Sequence, residues 1–202
     1  MSSTSHTPSF GHWRALIIHR PHANVDSIIR QLRQIGVAAD VLWPDLPADF
    51  DVGGYNMIFF DAEMGHDGQF PWGPGAAPMP SVALIGSEAP GRVEWAIRRG
   101  ADAHLLKPIG SGGIYSAMLI ACHAFEQRQR LRSEIDSLSH RLSQRESLAA
   151  ATAQIMVAQN ISATHAYKAL RLLAMAERVS IEDMAARLID PGTATVKRND
   201  HA

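Results

Sequence analysis

Basic residues near the carboxyl-terminal end are the side chains whose type and spacing could contact a polyanion. Three of them, His165, Lys168 and Arg171, follow one another at i, i+3 and i+6, and Arg178 lies seven residues after Arg171. Cations at this spacing could share one side of a helix and neutralise phosphates, and Tyr167 could stack on an unpaired base or be buried in a bundle. An ordinary solvated helix face is the alternative, because acidic residues of the same region nearly balance the charge.

Composition excludes several other classes of protein. The 202 residues carry a formal net charge of −1, and 46% of them are hydrophobic, which is enough for real cores and gives no global attraction to polyanions. The lone Cys122 has no Cys-x-x-Cys neighbour, the ten histidines show no metal-ligand spacing, and no nucleophile–base pair stands out. Residues 1–10 do not read as a signal peptide, and no apolar run approaches the ~18 residues of a membrane span. We therefore expect a soluble cytoplasmic protein that is not an enzyme and needs no cofactor, metal or membrane.

Short apolar runs separated by turn residues predict the strands of an α/β domain. The predicted strands cover residues 14–18, 37–43, 55–60, 81–85 and 103–106. Asn24 can cap a helix that Gly36 ends, and a second helical pattern ends at Gly100. Four prolines between Met64 and Ser81 favour a loop where a helix would be expected. This alternation predicts a parallel five-stranded sheet with helices on both faces and one shrunken connection.

Residues 117–159 contain no glycine or proline and predict one long helix. Within it, large apolar residues recur at steps of four, three and four, which is the spacing of a coiled-coil seam. The seam residues are Leu131, Ile135, Leu138 and Leu142. Arg128 and Arg145 fall on seam positions and keep the predicted coiled coil short. We expect a second copy of the chain to cover the seam, and a helix folded back onto its own domain is the alternative.

The residues after the seam predict a bundle of three short helices. Asn160 ends the long helix, Ser162 can cap a second helix and Ser180 a third. The second helix carries an apolar stripe of Ala166, Ala169, Leu170, Leu173 and Ala174. The third carries a stripe of Ile181, Met184, Ala185, Leu188 and Ile189, and the Asp-Pro-Gly sequence at 190–192 ends it.

The strand order, with Asp61 ending the third strand and Lys107 following the fifth, resembles the receiver domain of response regulators over residues 13–121. The resemblance implies a flavodoxin-like fold in which the aspartate accepts a phosphoryl group and the lysine pairs with it. Receivers hold Mg²⁺ on an acidic pair after the first strand, where this chain has His19 and Arg20. A basic pair cannot hold Mg²⁺, and phosphoryl transfer needs that metal. We therefore expect a pseudoreceiver in which Asp61 and Lys107 are a vestigial phosphoacceptor site or a simple ion pair.

Residues 145–189 resemble the ANTAR domain, an RNA-binding module of transcription antiterminators. The family's elements fall at residues 151–156, at Ala166, at residues 170–175 and at residues 184–185. The first half is similar to AmiR-type antiterminators at residues 31–36, 43–44 and 50–52. The resemblance implies RNA contacts from Thr152, Gln159, His165, Tyr167, Lys168, Arg171 and Arg178. Thr152 replaces a lysine of the family, which removes a charge expected to serve RNA.

These patterns together predict four segments: a pseudoreceiver at 12–114, a coiled-coil dimerisation helix at 115–147, an ANTAR bundle at 148–190 and a flexible tail at 191–202. The resemblance implies a homodimer that binds leader-transcript hairpins and prevents a terminator from forming. It also implies control by a cytoplasmic sensor resembling a solute-binding protein. The alternatives are a phosphorylation-controlled response regulator with ANTAR output and a protein-interaction adaptor that has lost RNA affinity.

Overall fold

The computed structural model describes residues 10–189, and the chain divides into two compact units, 1–130 and 131–202. The elements are β1 (Arg14–Ile18), α1 (Ala23–Gln34), β2 (Ala38–Leu42), β3 (Met57–Asp61), β4 (Ser81–Ile85), α2 (Pro90–Arg99), β5 (Ala103–Leu106), α3 (Ile114–Gln159), α4 (Ala163–Glu177) and α5 (Ile181–Ile189). The predicted tail and the predicted helix end at 190–192 lie outside the described residues.

The first unit is built on a five-stranded parallel sheet in the order β2-β1-β3-β4-β5. Every residue of β3 and β4 is buried, because both strands are covered by chain on two faces. The receiver-like fold predicted from the sequence is confirmed. The strands β1, β4 and β5 have the predicted bounds. Strand β2 is one residue shorter than predicted at each end, and β3 starts two residues later and ends one residue later than predicted.

Two apolar layers cover the sheet. On one face, α1 and the first turns of α3 pack together through residues such as Ile28, Leu32 and Met118. On the other face, Trp95 of α2 packs with Phe70 from the loop between β3 and β4. That connection, residues 62–80, contains no helix, as its prolines predicted. The loop therefore covers this face of the sheet with packed side chains such as Phe70, without forming a helix.

A buried arginine of α2 fastens this loop. The Arg99 guanidinium donates to the carbonyl oxygen of His66 at 3.2 Å and to that of Asp67. It also lies 5.5 Å from the Phe70 ring centroid and 5.7 Å from that of Trp95. Two backbone carbonyls of the loop, which a helix would satisfy internally, are satisfied here by one buried cation. The connection between β3 and β4 is consequently packed on the sheet although it contains no helix.

The predicted cap of α1 is wrong. His22 is the N-cap, and its Nδ1 accepts the N–H of Asn24 at 3.1 Å. Asn24 itself is buried inside the first turn, where its Oδ1 accepts the N–H of Ile109 at 2.9 Å. The asparagine therefore joins α1 to the segment after β5 instead of ending the helix. Gly36 and Gly100 follow their helices with φ of 79° and 83°, as predicted for residues that stop a helix.

The second unit is a small helical bundle. Its buried core consists of Ala151, Ile155, Ala166, Leu170, Ala174, Met184 and Ala185.

The two serines at the helix starts behave differently. The Ser180 hydroxyl accepts the N–H of Asp183 at 2.9 Å and caps α5, whereas the Ser162 hydroxyl is hydrogen-bonded to the His165 ring at 2.7 Å. The predicted stripes extend too far, because Leu173 is 44% exposed and Leu188 and Ile189 are also exposed. Alanines in the core let the helices approach closely, which leaves no room for these larger side chains inside.

Candidate receiver-like site and nucleic-acid interface

Asp61 and Lys107 meet at the carboxyl end of the sheet, as their places at the end of β3 and directly after β5 predicted. Lys107 Nζ lies 2.6 Å from Asp61 Oδ1, and the aspartate side chain is buried. The same oxygen accepts the backbone N–H of Glu63 at 3.0 Å. The carboxylate is thus neutralised by a lysine of its own chain.

His19 lies on the other side of the same carboxylate and is buried. Its Nδ1 is 2.6 Å from the carbonyl oxygen of Arg20, which only an N–H can approach, so Nδ1 carries the proton of the neutral ring. Its Nε2 then presents a lone pair 3.4 Å from Asp61 Oδ2 and has no hydrogen-bond partner among the described residues. Burial lowers the pKa of His19, with opposition from the Arg20 carbonyl and from the Asp61 charge.

Glu63 adds a second carboxylate to this edge of the sheet. Its Oε1 accepts the N–H groups of Gly86 at 3.0 Å and Ser87 at 2.8 Å, directly after β4. The Ser87 hydroxyl accepts the N–H of Ala89 at 3.2 Å and so serves its own loop. The donors at the end of β4 are therefore occupied by a residue of the chain itself. The sequence analysis did not identify Glu63 as a site residue. Its only signal in the sequence is that it is acidic and stands two positions after Asp61.

A cleft of about 200 Å³ opens over these groups, lined by His19, Arg20, His22, Asn24, Asp61, Glu63, Met64 and Lys107. Mg²⁺ takes oxygen ligands, and the segment after β1 supplies only nitrogen bases and a guanidinium. Within residues 10–189, no group of three or more His, Cys, Asp or Glu side chains is arranged to hold a metal ion. The site can stabilise an ion pair, but it does not offer the ligand set that Mg²⁺ requires.

The residues predicted to contact RNA are distributed over α3 and α4. His165, Tyr167, Lys168 and Arg171 of α4 are exposed, and Tyr167 is 43% exposed, so it is not a buried bundle tyrosine. Arg178 follows α4 with φ of 56° and is also exposed. These side chains lie outside the core formed by the opposite side of the helix.

Charge pairing leaves the cations of α4 available. Glu177 is bound to Arg187 of α5 at 3.0 Å, so this acid neutralises a residue outside the predicted set. Among the described residues, no ion pair involves Lys168, Arg171 or Arg178. The near balance of charge seen in the sequence therefore does not hold locally on α4.

Thr152 and Gln159 of α3 have different surroundings. The Thr152 hydroxyl donates to the Leu148 carbonyl oxygen at 2.7 Å, and the side chain is half-buried. Gln159 is exposed in the last position of α3. The hydroxyl of Thr152 is thus engaged within its own helix, whereas the Gln159 amide faces solvent.

The predicted seam lies on an exposed side of α3. Leu131, Ile135, Leu138 and Leu142 are each between 50% and 60% exposed. At the seam position before Leu131, the Arg128 guanidinium is bound to Asp102 and to the Gly100 carbonyl oxygen within the first unit. Among the described residues, no helix is long and apolar enough to cross a lipid bilayer.

The chain consists of a receiver-like domain, a long helix and a small helical bundle, in that order. The AmiR N-terminal family matches residues 13–122, and the ANTAR domain family matches residues 136–189. The first match covers more than half of the chain, so this chain belongs to the AmiR family, and it carries an ANTAR domain. Both are regulatory families, not enzyme families.

Solved response regulators are among the structures to which this chain is similar. Full-length FixJ from B. japonicum is 16% identical, with 88% of this chain and 98% of that chain covered and a TM-score of 0.45. The response regulator StyR is 14% identical, with 90% of this chain and all of that chain covered (100%) and a TM-score of 0.46. No curated protein is similar enough in sequence to count as a match.

Proposed function

We propose that this protein is an RNA-binding antitermination regulator that holds leader-transcript hairpins so that a terminator cannot form. The observation that carries the proposal is the ANTAR match over residues 136–189. Helix α4 of this bundle presents Lys168 and Arg171, which form no ion pair with any residue between 10 and 189. Exposed cations supply the salt-dependent attraction to phosphates, and exposed polar or flat groups such as Tyr167 and Gln159 suit unpaired bases.

The seam of α3 supports a homodimer as the functional form. Four large aliphatic side chains at coiled-coil spacing are at least half exposed in the single chain. Covering them with a parallel second copy would remove apolar surface from water at knobs-into-holes spacing. A dimer presents two ANTAR bundles, so two hairpins of one transcript could be held together.

The receiver-like site supports control without phosphorylation. Lys107 already neutralises Asp61, Glu63 occupies the N–H groups after β4, and His19 and Arg20 replace the acidic pair. A separate sensor that resembles a solute-binding protein would then sequester the regulator and release it when a small molecule binds. The short seam leaves self-association modest, so a few kcal/mol of differential affinity would suffice for the switch.

Fluorescence titration of the purified protein with stem-loop RNAs from candidate leader transcripts, at two salt concentrations, tests RNA binding. We expect tight binding to a subset of stem-loops, with affinity falling as salt rises. The double variant Lys168→Ala, Arg171→Ala should bind more weakly and with a shallower salt dependence, by about one unit of slope per lost contact. Wild-type protein that binds no stem-loop at either salt concentration would favour the adaptor alternative.

Co-purification from the native host, with and without candidate inducers, tests the sensor. We expect a second protein to be recovered without inducer and lost with it, and the released regulator to bind RNA more tightly than the complex. Recovery of the regulator always alone, with RNA affinity unaffected by cell extract, would contradict sequestration.

A further inference from the structure

A cavity of about 400 Å³ lies between α2 and the strands β4 and β5, and it shares no lining residue with the cleft over the Asp61 site. Ala83 and Ile85 of β4 form its floor, and both are buried. Their register partners in β5, His104 and Leu106, point to the same face of the parallel sheet, yet both are exposed. Within residues 10–189, helix α2 therefore covers β4 and leaves the edge strand β5 uncovered on this face.

Small side chains create the space beneath α2. The alanines that line the cavity, where larger aliphatic side chains would fill it, are Ala83, Ala96, Ala101 and Ala103. Ala96 is buried, so the cavity reaches under the helix, whereas Ile97 and Leu106 stand at its mouth and are 70% and 49% exposed. A cavity of this volume accommodates a small organic molecule. It does not accommodate an α-helix of another protein, because a helix with its side chains is about 10 Å across.

The charges at the cavity indicate which kind of molecule fits it. The polar side chains among its lining residues are Glu88, Asp102 and His104. Asp102 is already bound to Arg128 and to Ser81. The side chains of Glu88 and His104 have no hydrogen bond or ion pair within residues 10–189. An unpaired carboxylate beside aliphatic walls favours a ligand that has an apolar body and a cationic group.

We propose that this cavity binds a small organic amine, whose apolar body lies between α2 and β4 and whose ammonium group lies beside Glu88. Binding removes the exposed apolar surface of Ile97 and Leu106 from water, which supplies most of the affinity. The carboxylate of Glu88 supplies the preference for a cation. The receiver-like domain therefore receives a chemical signal directly, in addition to any signal from a separate sensor. This inference does not depend on RNA binding.

The test uses the full-length protein and probes that share a phenylethyl body but differ in charge: phenethylamine, phenethyl alcohol and hydrocinnamate. Saturation-transfer difference NMR measures the binding of each. Glu88→Gln removes the charge with little change of shape, and Glu94→Gln is the matched control, because Glu94 is an exposed glutamate of α2 that does not line the cavity. Ala96→Leu fills the cavity from the helix side, and its thermal melting by circular dichroism reports whether it folds.

We expect wild-type protein to bind phenethylamine with a dissociation constant on the order of 1 mM, the alcohol about threefold more weakly, and hydrocinnamate most weakly. Glu88→Gln should lose the preference for the amine over the alcohol, and Glu94→Gln should keep it. Ala96→Leu should melt cooperatively and bind none of the probes.

Equal wild-type affinities for the amine and hydrocinnamate would overturn the proposal, as would a wild-type protein that binds no probe at millimolar concentration. Unchanged binding in a cooperatively melting Ala96→Leu would place the site elsewhere. If Ala96→Leu does not fold, the comparison of Glu88→Gln with Glu94→Gln decides. Equal amine preference in those two glutamine variants would contradict the role of Glu88.

Discussion

The guanidinium of Arg128, on α3, is bound to the buried carboxylate of Asp102 at the amino end of β5. Arg128 Nη2 donates to Asp102 Oδ2 at 3.2 Å, and Nη1 donates to the other carboxylate oxygen and to the Gly100 carbonyl oxygen at 3.2 Å. Asp102 Oδ2 also accepts the Ser81 N–H at 2.9 Å and the Ser81 hydroxyl at 3.1 Å. Burial raises the pKa of Asp102, and these partners oppose that rise. The pair fastens α3 to the sheet at the point where the first unit ends.

Replacing Arg128 with alanine should destabilise the first unit strongly. The substitution leaves a buried carboxylate without its cation, which typically costs about 3 kcal/mol of unfolding free energy. The matched control is Arg130→Ala, because Arg130 is 75% exposed and lies 3.9 Å from Glu126 in a surface pair worth about 0.5 kcal/mol. Urea unfolding monitored by tryptophan fluorescence measures both. Equal losses for the two variants would show that the Asp102 contact does not anchor the helix.

Local patterns were enough to predict the sheet. Strands β1, β4 and β5 have the bounds of their apolar runs, because each run is closed by residues that break a strand. The pairing of Asp61 with Lys107 was implied by the receiver resemblance, and the parallel topology agrees with it, since both residues stand at the carboxyl ends of strands. The proline-rich connection was also predicted, because a proline inside a helix removes a backbone hydrogen bond and clashes with the preceding turn, and four prolines leave too few residues between them for a helix.

Contacts between residues distant in sequence were not predictable in this way. Asn24 was expected to cap α1, but its partner Ile109 is 85 positions away. Arg128 has the spacing of a seam residue, and only the folded chain shows that its guanidinium binds Asp102, 26 positions earlier. Leu173 had the spacing of a core residue, yet the alanine-rich core of the bundle excludes it. Periodicity identifies a helix side, and the partner's shape decides which of its residues are buried.

Charges placed in the seam should prevent dimerisation. The double variant Ile135→Asp, Leu138→Asp would put two carboxylates on facing positions of a desolvated interface, where each charge is costly unless paired. Multi-angle light scattering at micromolar protein should give the dimer mass for wild type and the monomer mass for this variant. The variant Ser133→Asp, Ser137→Asp adds the same charge to α3 off the seam and should remain dimeric. A dimer in both variants would place the contact elsewhere.

The buried imidazole of His19 should make stability depend on pH. Because burial lowers the pKa of His19 in the folded chain, the unfolded chain, with a value near 6.5, takes up the proton more readily. His19 therefore imposes no penalty above that pH, and stability is lost as pH falls from there towards the folded pKa. In His19→Gln that loss should be absent, so the difference between the two proteins changes across this window. Chemical unfolding at a series of pH values measures it, with His123→Gln as the control for losing an exposed imidazole. Parallel pH curves for wild type and His19→Gln would contradict the argument.

Asp61 should not accept a phosphoryl group from a small donor. The aspartate is buried against Lys107 at 2.6 Å and faces His19 at 3.4 Å, and Glu63 keeps a second carboxylate on the adjacent N–H groups. An incoming phosphoryl group would meet two acids without the metal that normally neutralises its oxygens. After incubation with acetyl phosphate and Mg²⁺, intact-protein mass spectrometry should therefore show the unmodified mass, as it should for Asp61→Asn. An adduct on wild type that is absent from Asp61→Asn would show that the carboxylate is reactive. Phosphorylation would then replace the sensor as the leading mode of control.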